Sequence, residues 1–128
     1  MARFVVLLSI PGLRARDLSS MPNLSRLFVG GGHAILVPSF PAVTCPVQAN
    51  MTTGCSPREH GVVANGFYWR DQRRVEMWTA WNDCIQKPQI WDIIHDRDRA
   101  ITSAVWFPLH SKGSGADFIC TPAPVHNA

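Results

Sequence analysis

Continuous apolar runs recur along the chain and predict strands that are covered on both faces of a sheet. Residues 4–10 form such a run, which the Pro-Gly pair at 11–12 closes, and residues 33–37 and 101–107, which are mostly apolar, predict two more strands. A shorter segment at 117–120 predicts the start of a fourth strand. Runs that are apolar throughout, rather than at every second position, are typical of strands in parallel sheets.

Helical patterns separate these runs. The apolar positions within residues 24–28 have helical spacing, and the three glycines at 30–32 end this predicted helix. A second helix is expected to begin at Thr44, which suits an N-cap, with Pro46 in its first turn. A third is expected from Pro88. Strands that alternate with helices predict an α/β fold, a parallel sheet with flanking helices.

The length of the chain bears on its domain organisation. A chain of 128 residues is enough for one domain with one modest core. No predicted helix follows the last strand, so the sheet would have an open edge of the kind that proteins usually cover. We therefore expect residues 1–128 to be the N-terminal portion of a single larger domain, truncated at its end.

Composition and charge exclude several classes of protein. The hydrophobic share of 46% and the charged share of 16% are typical of a folded globular chain. The net charge of +3 is spread along the sequence, so we expect no nucleic-acid partner. The four cysteines form no C-x-x-C pair, which favours free thiols over a structural zinc site. The apolar start is too short to span a membrane and lacks an export cleavage site, so we expect no membrane association and a cytoplasmic location.

Thr44 is the first candidate for chemistry. It follows a predicted strand and a loop, and it stands where a helix is expected to begin. The first N–H groups of a helix lack intrahelical partners and the helix dipole favours negative charge there. A phosphate can dock at such a point, and a threonine hydroxyl can attack it. On these residues alone, the simpler interpretation is the usual one, in which the threonine only caps its helix.

Several segments around Thr44 carry a wider pattern. Two of them are Phe40-Pro-Ala-Val-Thr-Cys-Pro and Thr53-Gly-Cys-Ser-Pro-Arg-Glu-His-Gly-Val-Val-Ala-Asn. Upstream stands Met21-Pro-Asn-Leu-Ser-Arg-Leu, and downstream stand Pro88-Gln-Ile-Trp and Trp106-Phe-Pro. In this order, the segments resemble the alkaline phosphatase superfamily, closest to its type I phosphodiesterase/nucleotide pyrophosphatase branch. The resemblance covers most of the chain and implies an alkaline phosphatase-like α/β fold.

The resemblance also implies roles for three residues. Thr44 matches the nucleophile that takes the phosphoryl group covalently and also ligands one metal ion. Asn65, which lies 65 − 44 = 21 positions later, matches the amide that donates to a phosphoryl oxygen, where fixed donors stabilise charge. Cys45 stands where the family has a phenylalanine that helps hold a substrate base, which makes it a substrate-binding candidate.

The family's cofactors follow from the same resemblance. It implies two divalent metal ions, with zinc as the expected metal. The further aspartate and histidine ligands of the family pattern would lie beyond residue 128. We therefore expect metal binding only in the full-length protein.

The sequence departs from the family pattern at two places. The aspartate that ends the family's first strand and ligands a metal ion is Pro11 here, and proline offers no side-chain ligand. Val47 and Gln48 replace the asparagine and histidine that follow the family's T-F-P. Both departures bear on whether the metal site and the substrate preference of the family are retained.

The sequence thus predicts a metal-dependent hydrolase of phosphate mono- or diesters that works through a covalent phosphothreonine at Thr44. Its expected partner is a small-molecule phosphate ester. Because of Pro11, a non-catalytic relative that binds a phosphorylated ligand stays open as the alternative. The 128-residue chain by itself is expected to be inactive, since a two-metal site needs ligands that it lacks.

Three further groups of side chains have competing explanations. His60 matches a family histidine that is not a metal ligand, and we expect it to order the loop beside Gly61. Asp92 and His95 lie three positions apart on a predicted helix, where a polar face is favoured over a metal site. The aromatic residues of a predicted hairpin form either one wall of a substrate pocket or part of a core or interface: Phe67, Tyr68, Trp69, Trp78 and Trp81.

Overall fold

The computed structural model describes residues 4–32 and 34–122. It divides the chain into two units, Met1–Leu36 and Val37–Ala128. No helix among the described residues is long and apolar enough to cross a membrane.

The first unit contains two short helices. A 3-10 helix spans Ala15–Ser20, and helix α1 spans Pro22–Leu27. The first residue of α1 is a proline, which is common at this position of a helix. The predicted helix over residues 24–28 is therefore confirmed. Before the 3-10 helix, Arg14 donates its backbone N–H to Asp17 Oδ2 at 2.9 Å and pairs with the same carboxylate through its guanidinium at 2.8 Å.

The predicted strand over residues 4–10 is wrong. These residues adopt no regular secondary structure and are largely exposed, with Val5 at 90% and Leu8 at 65%. The predicted strand over 33–37 is also absent from its described part, residues 34–37, while His33 lies outside the described residues. β-Branched apolar residues favour an extended backbone, but a strand forms only when another strand supplies its hydrogen bonds. The described residues of this unit supply none.

The second unit holds the remaining elements, in an order that mixes helices and strands. They are α2 (Thr44–Thr53), α3 (Pro57–His60), β1 (Gly66–Trp69), β2 (Arg74–Met77), α4 (Ile90–Arg97), β3 (Ala104–Trp106) and β4 (Phe118–Cys120). Strands β1 and β2 form an antiparallel hairpin, and β3 pairs with β4 in parallel. The fold class is α/β, as predicted. The hairpin and the fourth strand are confirmed, and the predicted strand over 101–107 is shorter than expected.

The ends of the helices follow local chemistry. Gly54 ends α2 in the left-handed conformation with φ +68, and Gly61 ends α3 with φ +81. Ser56 donates its N–H to the Glu59 carboxylate at 2.9 Å before α3. Helix α4 begins two residues after the predicted Pro88, because Gln89 is its N-cap.

Helix α2 provides much of the core of this unit. Its Cys45 and Ala49 are buried with Val62 and Leu109, and three partly buried residues pack against them, Phe67, Cys84 and Ile85. Two buried or partly buried hydrogen bonds tie the helix to distant segments. The Leu109 N–H donates to Gln48 Oε1 at 2.9 Å, and Gln89 Nε2 donates to Thr52 Oγ1 at 3.2 Å. The thiols are free, as predicted, at Cys45, Cys55, Cys84 and Cys120.

We expect Gly61→Ala to destabilise the protein more than Gly54→Ala does. Both glycines have a positive φ, which costs an alanine about 1–2 kcal/mol. A Cβ at position 61 would also lie 2.9 Å from Cδ of Gln86, whereas nothing lies within 4 Å at position 54. Because the Gln86 side chain is exposed and can move aside, the added loss at position 61 should be small, about 0.5 kcal/mol. Urea unfolding followed by near-ultraviolet dichroism measures both losses, and equal losses would contradict the prediction.

Candidate active site

Thr44 is the first helical residue of α2 and does not cap it. The N-cap is Val43, with an extended backbone at φ −116 and ψ 164, and its carbonyl accepts the Val47 N–H at 3.1 Å. The predicted N-cap role of Thr44 is therefore wrong by one position. Across residues 4–32 and 34–122, no hydrogen bond engages the Thr44 hydroxyl. The interpretation that this threonine serves only as a cap loses its support.

The start of α2 offers fewer free donors than a typical helix. The Cys45 N–H donates to Asn65 Oδ1 at 2.9 Å, and Pro46 has no N–H to donate. The N–H of Thr44 remains as the first-turn donor for which the described residues supply no acceptor. An anion at this helix end would therefore be held by few backbone donors, and side-chain donors would matter more than the helix end itself.

Asn65 lies directly before strand β1 and reaches back to the start of α2. Its backbone carbonyl accepts the Trp78 N–H at 2.8 Å, which extends the hairpin by one pair. Because its Oδ1 accepts from Cys45, the orientation of the carboxamide is fixed. Its amino group finds no acceptor in the described part of the chain. The structure thus brings Thr44 and Asn65 to one helix end, and their catalytic roles remain predictions.

The Cys45 side chain lies in the core of the second unit. It is fully buried among Ala49, Val62 and Leu109, and burial raises the pKa of its thiol to about 11. A protonated, buried thiol is a poor nucleophile at neutral pH. What Cys45 contributes at the helix start is its backbone N–H, while the predicted substrate-binding role of its side chain stays a prediction.

His60 orders the loop at the end of α3, as predicted. Its imidazole is buried, with Nε2 at 2.7 Å from the Asn50 carboxamide. The Val62 N–H donates to Nδ1 at 3.1 Å. Burial lowers the pKa of this histidine, so it is neutral at physiological pH. The interaction joins α3 to the middle of α2.

The described residues do not fit a two-metal centre by themselves. Within residues 4–32 and 34–122, no three side chains of His, Cys, Asp or Glu lie together in a way that could hold a metal ion. Pro11 belongs to the first unit, and the nearby Asp17 is committed to Arg14. Asp92 is likewise occupied, since it accepts the N–H groups of Gln89 at 2.7 Å and Gly115 at 2.8 Å. Its role is structural.

Comparison with known proteins identifies the family of this chain. The chain matches the family model of type I phosphodiesterase / nucleotide pyrophosphatase over residues 5–125. The chain belongs to this family. An uncharacterized pyrophosphatase/phosphodiesterase of Schizosaccharomyces pombe is 33% identical over 91 residues, which are 69% of this chain and 19% of that protein. The chain therefore spans about a fifth of the length of this curated relative. No solved structure matches it.

The hairpin aromatics of this family member have different surroundings. Phe67 packs against the core and stacks on Trp69, with ring centroids 5.8 Å apart. Trp69 Nε1 donates to the Glu76 carboxylate at 2.8 Å. In contrast, Trp78 and Trp81 line a cavity of about 450 Å³. One part of the aromatic cluster is packed and another part borders open space.

A cysteine thiol and a histidine imidazole that the sequence does not predict to be neighbours lie in contact in the second unit. Cys84 Sγ lies 3.2 Å from Nδ1 of His110, which is itself buried. Burial raises the pKa of Cys84 to about 11 and lowers the pKa of His110. The two residues are 26 positions apart, and no local pattern in the sequence links them.

The buried histidines predict a loss of stability in mild acid. Burial lowers the pKa values of His60 and His110 below the ordinary 6.5. The unfolded chain therefore binds more protons than the folded chain as the pH falls below about 6.5. The free energy of unfolding should fall between about pH 7.5 and 5.5, by at most about 1.4 kcal/mol per pH unit for each histidine.

Denaturant unfolding at several pH values measures this dependence. His110→Gln should reduce the slope, because it removes one of the two groups. His95→Gln is the matched control, since its partly exposed imidazole lies 3.8 Å from Asp117 rather than in the core. A stability that does not change over this pH interval would refute the prediction.

Proposed function

We propose that this chain carries the nucleophile segment of a phosphodiesterase/pyrophosphatase-type hydrolase. Membership of the family supports this proposal. The observation that carries it is the 2.9 Å hydrogen bond from the Cys45 N–H to Asn65 Oδ1. That bond holds the two residues with proposed catalytic roles, Thr44 and Asn65, at the start of one helix.

In this proposal, Thr44 Oγ1 attacks the phosphorus of a phosphate ester. The bond from Oγ1 to phosphorus forms, the bond from phosphorus to the leaving oxygen breaks, and the leaving alcohol departs with a proton. Water then cleaves the phosphothreonine and restores the hydroxyl. The partly buried position of Thr44, with a hydroxyl that is not used as a cap, suits a side chain that must be free to react.

Asn65 is proposed to stabilise the charge on the phosphoryl group. Negative charge on the equatorial oxygens is stabilised by donors that are already fixed in place. The bond to Cys45 fixes one end of the carboxamide, which leaves the amino group to donate to a phosphoryl oxygen. The few free backbone donors at the start of α2 make this side-chain donor more important.

The substrate is proposed to be a small-molecule phosphate ester. The name of the yeast relative, pyrophosphatase/phosphodiesterase, favours a diester or a pyrophosphate over a monoester. Two divalent metal ions are proposed as cofactors of the full-length protein only, and zinc is the metal proposed. The described residues form no ligand set for them, and no step above depends on them.

A non-catalytic protein that binds a phosphorylated ligand is the second candidate. Pro11 in place of the family's aspartate favours it, because proline offers no side-chain ligand for a metal ion. The two candidates differ in one measurable property. A folded, metal-supplemented protein that binds a phosphate ester saturably without releasing product would support the binding function.

Replacing the nucleophile tests the first candidate. In a full-length family domain that carries this segment, Thr44→Val should lower the rate of bis-p-nitrophenyl phosphate hydrolysis by about a thousandfold or more, because the attacking oxygen is lost. Thr44→Ser keeps a hydroxyl and should retain measurable activity. The assay is run with zinc or manganese. Equal rates for the valine variant and the unchanged protein would exclude Thr44 as the nucleophile.

Two replacements of Asn65 separate its catalytic role from its structural role. Asn65→Asp keeps an oxygen that can accept the Cys45 N–H but removes the amino donor, so kcat should fall about 100- to 1000-fold. Asn65→Ala loses the acceptor as well and should lower the free energy of unfolding by about 1 kcal/mol in addition. Activity and urea unfolding are measured on both variants. Near-normal kcat in Asn65→Asp would show that the amino group is not a catalytic donor.

A further inference from the structure

The hairpin borders a cavity of a size suited to a small molecule. Its volume is about 450 Å³, within the range of known ligand sites. The walls are strand β2 (Arg74–Met77), residues 78–81, Lys112 and residues 121–122. Aromatic, cationic and hydroxyl side chains therefore meet around one space.

The two tryptophan side chains that line this cavity remain partly exposed to solvent. Trp78 is 38% exposed and Trp81 is 47% exposed, whereas Trp91 is buried in the same unit. A half-exposed indole offers one flat apolar face to a ligand. Two such residues on one cavity favour a flat aromatic ligand over a branched aliphatic one.

Lys112 gives the cavity a positive charge. Its Nζ lies 4.3 Å from the centre of the Trp81 ring, in a cation–π arrangement. The described residues place no carboxylate in an ion pair with it. The other charges largely offset each other, since Arg74 pairs with Glu76 at 3.5 Å. The net charge at the cavity therefore favours an anion.

The backbone holds Lys112 and Trp81 side by side before any ligand arrives. The Lys112 N–H donates to the Ala80 carbonyl at 2.9 Å, and the Asn82 N–H donates to the Lys112 carbonyl at 3.0 Å. These bonds form a parallel bridge between Trp81 and Lys112. A site whose cation and aromatic face are fixed in advance loses less entropy on binding.

Trp78 adopts a backbone conformation that is unusual for its type. Its φ is +58, in the left-handed region that costs a non-glycine residue about 1–2 kcal/mol. The Trp78 N–H is held by the Asn65 carbonyl at 2.8 Å. Backbone strain of this kind is concentrated at functional sites. Here it accompanies an indole that borders the cavity.

From these observations we infer that the cavity is a binding site for an aromatic ring that carries one anionic group. The ring stacks on the indoles of Trp78 and Trp81, and the anion pairs with Lys112 Nζ. The inference concerns binding alone and does not require that Thr44 be a nucleophile.

Calorimetric titration of the whole chain with three small probes tests the inference. The probes are 2-naphthoate, the neutral 2-naphthamide and the non-aromatic cyclohexanecarboxylate. We expect saturable binding of 2-naphthoate, about tenfold weaker binding of the neutral amide, and no detectable binding of the non-aromatic acid; a tenfold ratio corresponds to about 1.4 kcal/mol. Equal affinity for acid and amide, or no saturable binding of 2-naphthoate, would overturn it.

Variants assign the binding to this cavity. Lys112→Gln should weaken 2-naphthoate about tenfold and leave 2-naphthamide almost unchanged. Trp81→Leu should weaken both aromatic probes, while Trp81→Phe, which keeps a ring, should largely restore them. Trp106→Leu is the matched control, because that indole is 75% exposed and lies outside the cavity.

Further controls distinguish a loss of probe binding from a loss of folding and from a loss of hydrolysis. Near-ultraviolet dichroism of each variant shows whether the aromatic environment is intact, and the Trp81→Phe variant keeps the test valid if Trp81→Leu unfolds. Thr44→Val should bind 2-naphthoate like the unchanged chain, whether or not the hydrolase proposal holds. An equal loss of binding in Trp106→Leu and Trp81→Leu would show that the probe binds exposed indoles in general and would overturn the inference.

Discussion

The hydrogen bond from the Cys45 N–H to Asn65 Oδ1 joins the parts of the second unit on which its proposed chemistry depends. It spans 20 positions of sequence and connects the start of α2 to the start of β1. The Asn65 carbonyl continues the connection to the hairpin through the Trp78 N–H. One asparagine thus fixes the helix end that holds Thr44 and the strand end that leads to the aromatic cavity. A side chain that uses its oxygen for structure can use its amino group for a ligand.

Helix α2 packs in the core and also carries Thr44, the proposed nucleophile, as its first residue. One face carries Cys45 and Ala49 into the core. The polar Gln48 and Thr52 bind backbone and side-chain groups of distant segments. In its first turn, the Cys45 N–H already donates to Asn65 Oδ1, and Pro46 has no N–H. The start of α2 therefore has fewer free N–H donors for an anion than most helices have. Neighbouring side chains must supply the remaining contacts to a bound anion.

Metal chemistry is where sequence and structure differ most from the family pattern. The family aspartate is Pro11, and several of the acidic and imidazole side chains that the structure describes have structural partners. Asp17 pairs with Arg14, Asp92 caps α4 and binds Gly115, and His60 orders a loop. These residues each have a structural partner that explains them. The chain spans about a fifth of the length of its Schizosaccharomyces pombe relative, and a nucleophile at Thr44 with a donor at Asn65 is what we propose that it supplies.

The sequence by itself determined the features that depend on neighbouring residues. A helix over residues 24–27, a helix that starts near Thr44 and a hairpin over residues 66–77 all form, because backbone conformation at these points is set within a few residues. Ordered motifs also identified the family. Only the tertiary structure decided which apolar runs become strands. Residues 4–10 and 104–106 are both apolar, yet only the second has a partner, in β4. The tertiary structure likewise buried Cys45, freed the Thr44 hydroxyl from capping and set Lys112 beside Trp81. Contacts between residues far apart in the chain depend on packing, which no local pattern specifies.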